Sequence, residues 1–225
     1  MRHPERPRFH QRAEGPPVQL LLSLARDPPL RLKLRMTYIR VTSMGLLSEI
    51  DDRLQKFILA QPMFFVSTAP LASDAHINLS PKGLDSFRIL GPKQVAYLDV
   101  TGSGVETVAH LKENGRIVLM FCAFHGPPKI LRLHGHGRVL EPHTPDFAAL
   151  AARFPAYDSA RSIIVVDVTR VADSCGYGVP LMKYEGERQQ HFAWAERKGA
   201  DGLVTYRKEK NSRSIDGLEG LAEPD

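Results

Sequence analysis

The stretch from Ile117 to Leu140 constrains the fold most. Ile117 to Phe124 (IVLMFCAF) is apolar almost without interruption, as a strand buried on both faces or inside a barrel is. His125-Gly126-Pro127-Pro128 follows, a set of residues that ends strands and makes turns. Ile130 to Leu140 then returns as a long strand, in which Gly135 and Gly137 mark a bulge or a barrel corner. Two strands joined so closely form an antiparallel hairpin, and the other strands must extend the same sheet.

Those other strands are short and separated by turn residues. Met63 to Thr68 is a β-favouring apolar run, and His76 to Ser80 alternates with period two. His76, Asn78 and Ser80 therefore share one face while Ile77 and Leu79 point to the other. Pro81-Lys82-Gly83 is expected to break that strand. Phe87 to Leu90, Gln94 to Val100 and Arg161 to Val171 complete the set.

Helical periodicity appears in three places. Leu47 to Ala60 places Leu47, Ile50, Leu54, Phe57 and Ile58 on one stripe, with Ser48 to Asp51 patterned as a capping box. Thr144-Pro145-Asp146 reads as a helix start, followed by a buried stripe of Phe147, Leu150, Ala151 and Phe154. After the loop that begins at Ser174, one helix is expected over Arg188 to Lys198 and a short second one before Asn211. Short strands joined by turns, with helices inserted at a few points, argue for an antiparallel barrel of the α+β class. A doubly wound sheet would alternate strand and helix throughout.

The chemistry concentrates where the Gln94 to Val100 strand passes through Thr101-Gly-Ser-Gly-Val-Glu-Thr107 into a helix. A helix start with free backbone N–H groups is an anion seat. A dinucleotide fingerprint would need glycine where Thr107 stands and an acid about 20 residues further on, and neither is present. A nucleoside-triphosphate loop would need Gly-Lys-Ser/Thr. What remains is Ser103 as a helix cap with Glu106 reaching back to it, flanked by the hydroxyls of Thr101 and Thr107. By itself this pattern is equally that of a well-capped helix; a phosphate also needs a cation, for which Lys82 and Arg88 are the candidates.

The series Ile77-Asn-Leu-Ser-Pro-Lys-Gly83, Tyr97-Leu-Asp99, Thr101 to Thr107, Met120 to Phe124, Ser174 to Pro180 and Ser214 to Leu218 resembles the pyridoxamine 5′-phosphate oxidase-related family, a set of FMN-binding split β-barrels. The resemblance spans about Leu46 to Leu221. It implies a Greek-key-like split barrel and a homodimer with FMN at the subunit interface. The cofactor-binding residues it implies are Asn78, Ser80 and Lys82 on one strand and Thr101, Ser103, Gly104 and Thr107 at the turn. It also implies an FMN-dependent oxidoreductase acting on a small molecule, with no catalytic residue assigned. A non-catalytic flavin- or haem-binding sensor is the alternative, and a deazaflavin the alternative cofactor. The Arg and Lys pair and the C-terminal Trp/Arg segment of the true oxidase are not recognisable here, and Glu219 stands where the family has Pro. These departures argue against oxidation of vitamin B6 itself.

The distribution of charge bears on partners. Residues 1 to 43 hold nine Arg and Lys against three acids, +6 of the formal +5, so Met44 to Asp225 carries −1. The basic character therefore belongs to a Pro/Arg-rich leader, expected to be a disordered extension or to lie upstream of the true start, and not to a nucleic-acid-binding face. The 44–225 segment is expected to form one domain with a C-terminal helical segment, and no apolar run is long enough to span a bilayer. Cys122 and Cys175 lack partner spacing, the usage of a reducing cytoplasm. His134 and His136 share a strand face without a third ligand at suitable spacing, so no metal site is expected. Tyr177, Trp194 and Arg188 are candidates for ring or substrate contact, each equally readable as packing or a surface pair.

Overall fold

The computed structural model describes residues 46–222; the expectation for the leader lies outside them. The element order is β1 (Leu46–Leu47), α1 (Asp52–Leu59), β2 (Phe64–Thr68), β3 (Asn78–Lys82), β4 (Phe87–Gly91), β5 (Gln94–Val100), α2 (Glu106–Asn114), β6 (Arg116–Cys122), β7 (Ile130–Leu140), α3 (Pro145–Ala151), β8 (Ala160–Ser174) and α4 (Gln190–Asn211). All pairings are antiparallel, in the order β3-β2-β6-β7-β8-β5-β4, with β1 added to β8. The fold is an α+β antiparallel split barrel with inserted helices.

The hairpin that opened the sequence reading is β6 and β7, paired from Arg116↔His136 to Cys122↔Ile130. The bulge falls between His134 and Gly135 in the β7–β8 ladder, where a Cβ on Gly135 would run into the Asp167 carbonyl. The sheet path ends at β3 and β4, which share no ladder, so side chains must close the barrel. Phe64 on β2 meets Phe87 on β4 at 5.1 Å between centroids and Tyr97 on β5 at 5.6 Å, and stacks on Phe121 of β6 at 5.6 Å. These rings join the two arms of the sheet around the core of Val66, Leu119, Leu131, Leu133, Ile164 and Val166, all essentially inaccessible. Each such aromatic pair contributes about 0.5 to 1.5 kcal/mol beyond its buried area.

Several boundaries differ from the sequence expectation, each for a tertiary reason. Leu46 and Leu47 pair with Ala172 and Val171 of β8, and the Ile50 N–H donates to the Pro92 carbonyl at 2.8 Å. The chain is thereby held extended past Ser48, and α1 begins later, with Asp51 as its cap accepting from the Leu54 N–H at 2.7 Å. Pro81 does not break β3, which continues through it to Lys82. β3 is an edge strand, where a missing backbone donor costs no ladder bond. His76 lies before the strand and binds Asp216 through Nδ1 at 2.7 Å.

Phe154 is buried, but Phe147, Leu150 and Ala151 are only partly covered, and Thr144 donates its hydroxyl to the Glu141 carbonyl instead of capping α3. β8 continues to Ser174, three residues beyond the expected end. α4 is two helices joined at Gly199, which has φ 63° and ψ 175°, in agreement with the two expected segments.

Candidate functional site

Asp99 is the centre of the polar chemistry. It is the one charged residue of β5, 1% exposed, and it accepts from Lys82 Nζ at 2.9 Å and Arg161 Nε at 2.7 Å. Burial pushes its carboxyl up, but the two cations outweigh burial and hold it at about 2. Two positive groups against one carboxylate leave an excess positive charge at this end of the barrel.

Arg161 also fixes the glycine turn. Its guanidinium donates to the carbonyls of Gly102 at 3.3 Å and Gly104 at 2.8 Å, and Asn211 Nδ2 donates to the Gly102 carbonyl at 2.9 Å. With these carbonyls occupied, the turn persists to Val105 and α2 begins at Glu106. The expected Ser103–Glu106 capping box is therefore absent: Val105 is the cap residue and supplies no side-chain bond, and the Glu106 carboxylate accepts from the Ile215 N–H at 3.3 Å. The first turn of α2 thus keeps its backbone donors free of side-chain capping, the arrangement that favours an anion.

β3 faces this helix start. Asn78 Nδ2 donates to Thr107 Oγ1 at 2.9 Å and to Thr68 Oγ1 at 3.2 Å, and Thr68 Oγ1 meets His110 Nδ1 at 2.9 Å. Ser80, on the same face, has a buried hydroxyl with no hydrogen-bond partner among the described residues, and His110 Nε2 is likewise buried and unpartnered. Burial holds the His110 imidazole below its ordinary value despite Glu106, Asp216 and Glu113 nearby. Of the residues proposed from sequence, Asn78 meets Thr107 directly, while Ser80 and Lys82 follow Asn78 on the same face of β3 and Lys82 is bonded to Asp99. Ser103 and Gly104 lie exposed in the turn. Thr101 is buried, donates to the Ser159 carbonyl at 2.8 Å and accepts from Arg207 Nε at 2.8 Å.

Lys82 also lines a largely apolar cavity of about 420 Å³ with Met63, Pro81, Phe124, Met182 and Tyr184. Arg188 and His191 complete one wall, so Arg188 is placed at this cavity. Trp194 packs edge-on against Tyr206 at 5.1 Å and near His191 at 5.8 Å, joining the halves of α4. Tyr177 is 72% exposed. Arg88 is tied to Asp85 and to backbone carbonyls, among them that of Arg153. Cys122 is buried, which raises its thiol, and Cys175 is exposed. Among the described residues no group of three or more His, Cys, Asp or Glu could hold a metal ion, and no helix is long and apolar enough to cross a membrane.

Sequence reading did not assign roles to Asp99, Arg161, Asn211 or His110. The available signal was a lone carboxylate in the run Val95 to Val100, since an unpaired charge is rarely buried.

Comparison with known proteins bears on this arrangement. The profile of the family "Pyridoxamine 5′-phosphate oxidase" matches residues 50–175. A protein of Aspergillus flavus, "pyridoxamine 5′-phosphate oxidase family protein ustO", is 42% identical over 189 residues, covering 76% of each chain. Among solved structures, a variant of HupZ from Group A Streptococcus aligns with 56% of this chain and 99% of its own at 19% identity and a TM-score of 0.44. An FMN-binding protein of Syntrophomonas wolfei covers 57% of this chain and 84% of its own at 16% identity and a TM-score of 0.40.

Proposed function

From the premise that the chain belongs to the pyridoxamine 5′-phosphate oxidase family, we propose that it is an FMN-dependent oxidoreductase whose cofactor phosphate is held between β3 and the start of α2. The observation that carries this reading is the Asn78–Thr107 bond, which sets the β3 face shared by Asn78, Ser80 and Lys82 against a helix start without a side-chain cap. The fit is favourable on the protein's own terms. The Ser80 hydroxyl is a buried donor without a partner, the helix start offers backbone N–H groups, and the Lys82–Asp99–Arg161 set has positive charge in excess.

When bound, the flavin supplies the hydride chemistry. The chain's part is to bind and shield: Lys82 and the turn neutralise the phosphate, while Met63, Phe124 and Met182 provide an apolar wall for the body of a ligand. Gly102 and Gly104, held by Arg161 and Asn211 through their carbonyls, keep the seat in place before ligand arrives, which lowers the ordering cost of binding. Purified full-length protein is expected to show a flavin spectrum, or to acquire one on titration with FMN. A colourless protein with no affinity for FMN would remove the proposal. Reduction of the bound chromophore by NADH or NADPH separates an oxidoreductase from a sensor, and chromatography of the released cofactor separates FMN from a deazaflavin.

The working unit in this reading is a homodimer. Its support is the apolar surface at β3, where Leu79 is 65% exposed and Ile77, just before the strand, 75%, beside a groove of about 300 Å³ lined by Phe65, Val118 and Met120. Apolar surface of this kind marks an interface. Light scattering is expected to give twice the 25.1 kDa chain mass, and Leu79→Lys to shift the population to monomer. A monomeric wild type at micromolar concentration would exclude the dimer.

A further inference from the structure

A second cavity, of about 380 Å³, lies where the end of β7, the start of β8 and the second half of α4 meet the C-terminal residues. We propose that this cavity binds a small organic anion, a carboxylate or phosphate monoester on a compact apolar body, at a site separate from the β3–α2 seat.

Two guanidiniums set its character. Arg161 reaches it from β8, bonded to the Asp99 carboxylate that Lys82 also shares. Arg207 reaches it from α4, donating Nε to Thr101 Oγ1 at 2.8 Å and Nη2 to the Ala160 carbonyl at 3.1 Å. Both of those acceptors are neutral, and among the described residues Arg207 forms no ion pair. Burial and the nearby Arg161 both pull Arg207 below its ordinary value. A half-buried guanidinium beside another one, with no carboxylate of its own, is costly unless an anion accompanies it.

Among the described residues the one carboxylate in the lining, Glu141, is committed elsewhere. It accepts from Lys112 Nζ at 2.8 Å and from the Ala222 N–H at 2.8 Å. Lys208 adds a further basic group to the lining. Pro142, Val204 and Leu221 add apolar surface to the same lining, so the cavity combines basic and apolar groups. That combination suits an anionic head on an apolar body, and the volume lies in the range of small-molecule sites. Because Arg161 holds the carbonyls of Gly102 and Gly104 as well, an occupant here touches a residue that also supports the glycine turn.

The test is titration of the full chain, saturated with FMN, with benzoate and phenyl phosphate, and with benzamide as the neutral analogue, read by calorimetry and thermal shift. Saturable binding of one anion and none of benzamide is expected, and the stronger of the two anions identifies the head group. Arg207→Met is expected to weaken it about 10- to 100-fold, whereas Lys82→Met leaves it unchanged, which separates this cavity from the flavin seat. Val204→Glu, which places a carboxylate beside Arg207, is expected to raise the melting temperature without ligand and to abolish the response to the probes. This second variant decides the matter if Arg207→Met does not fold. Absence of saturable binding to the wild type overturns the proposal, as does equal binding by wild type, Arg207→Met and Val204→Glu.

Discussion

Asp99→Asn is expected to destabilise the protein by about 3 to 5 kcal/mol, because it leaves two cations without their shared carboxylate. Asp99 is 1% exposed, Arg161 has 4% of its side chain exposed and Lys82 19%, so water can replace little of what is lost. The same triad predicts the acid limit of stability. The Asp99 carboxyl lies at about 2 in the folded protein against 3.8 for an ordinary aspartate. A depressed carboxyl contributes stability above its unfolded value that is lost as pH falls from about 4 towards 2, here about 2 kcal/mol. Urea unfolding of wild type and Asp99→Asn at pH 7 measures the first effect, and a pH series measures the second. A loss below 1 kcal/mol at pH 7 would show that the triad does not hold the barrel ends together. Adding Lys82→Met to Asp99→Asn is expected to recover part of the loss, since it removes one of the stranded charges.

The parts of this fold that sequence predicts well are those decided locally. The β6–β7 hairpin follows from an apolar run, a Gly-Pro-Pro turn and a returning strand, and it forms as expected. The two segments of α4 follow from periodicity interrupted at Gly199. The errors fall where distant residues decide. Whether Pro81 ends β3 depends on whether the strand lies at an edge, and position in the sheet is not written in the five residues of the strand.

The start of α2 is set by Arg161, 57 residues from Gly104, and by Asn211, 109 residues from Gly102. Period-two alternation correctly put Asn78 and Ser80 on one face, and the structure brings that face to Thr107. It could not reveal that Lys82 is shared with Asp99 or that Thr101 is drawn towards Arg207, because both pairings join elements that only the closed barrel places together.

Lys82→Met combined with Ser103→Ala is the largest effect expected on ligand affinity. Lys82 lies on the same face of β3 as Asn78 and Ser80, and Ser103 stands exposed in the turn whose N–H groups precede α2. A charge-assisted contact to phosphate contributes about 1.5 to 3 kcal/mol, which corresponds to roughly 10- to 150-fold in Kd for Lys82 alone. Ser103→Ala adds a smaller loss, since its hydroxyl is solvated when no ligand is bound. Fluorescence titration with FMN and with riboflavin makes the result diagnostic. Riboflavin lacks the phosphate, so the double variant is expected to bind it as the wild type does while losing affinity for FMN. Equal losses for both ligands would mean that the variant has disturbed the cavity as a whole, and an unchanged FMN affinity would remove the phosphate from this seat. Lys82→Met keeps an unbranched side chain of similar length and leaves Asp99 paired with Arg161, so the fold is expected to persist and the affinity change to report on charge.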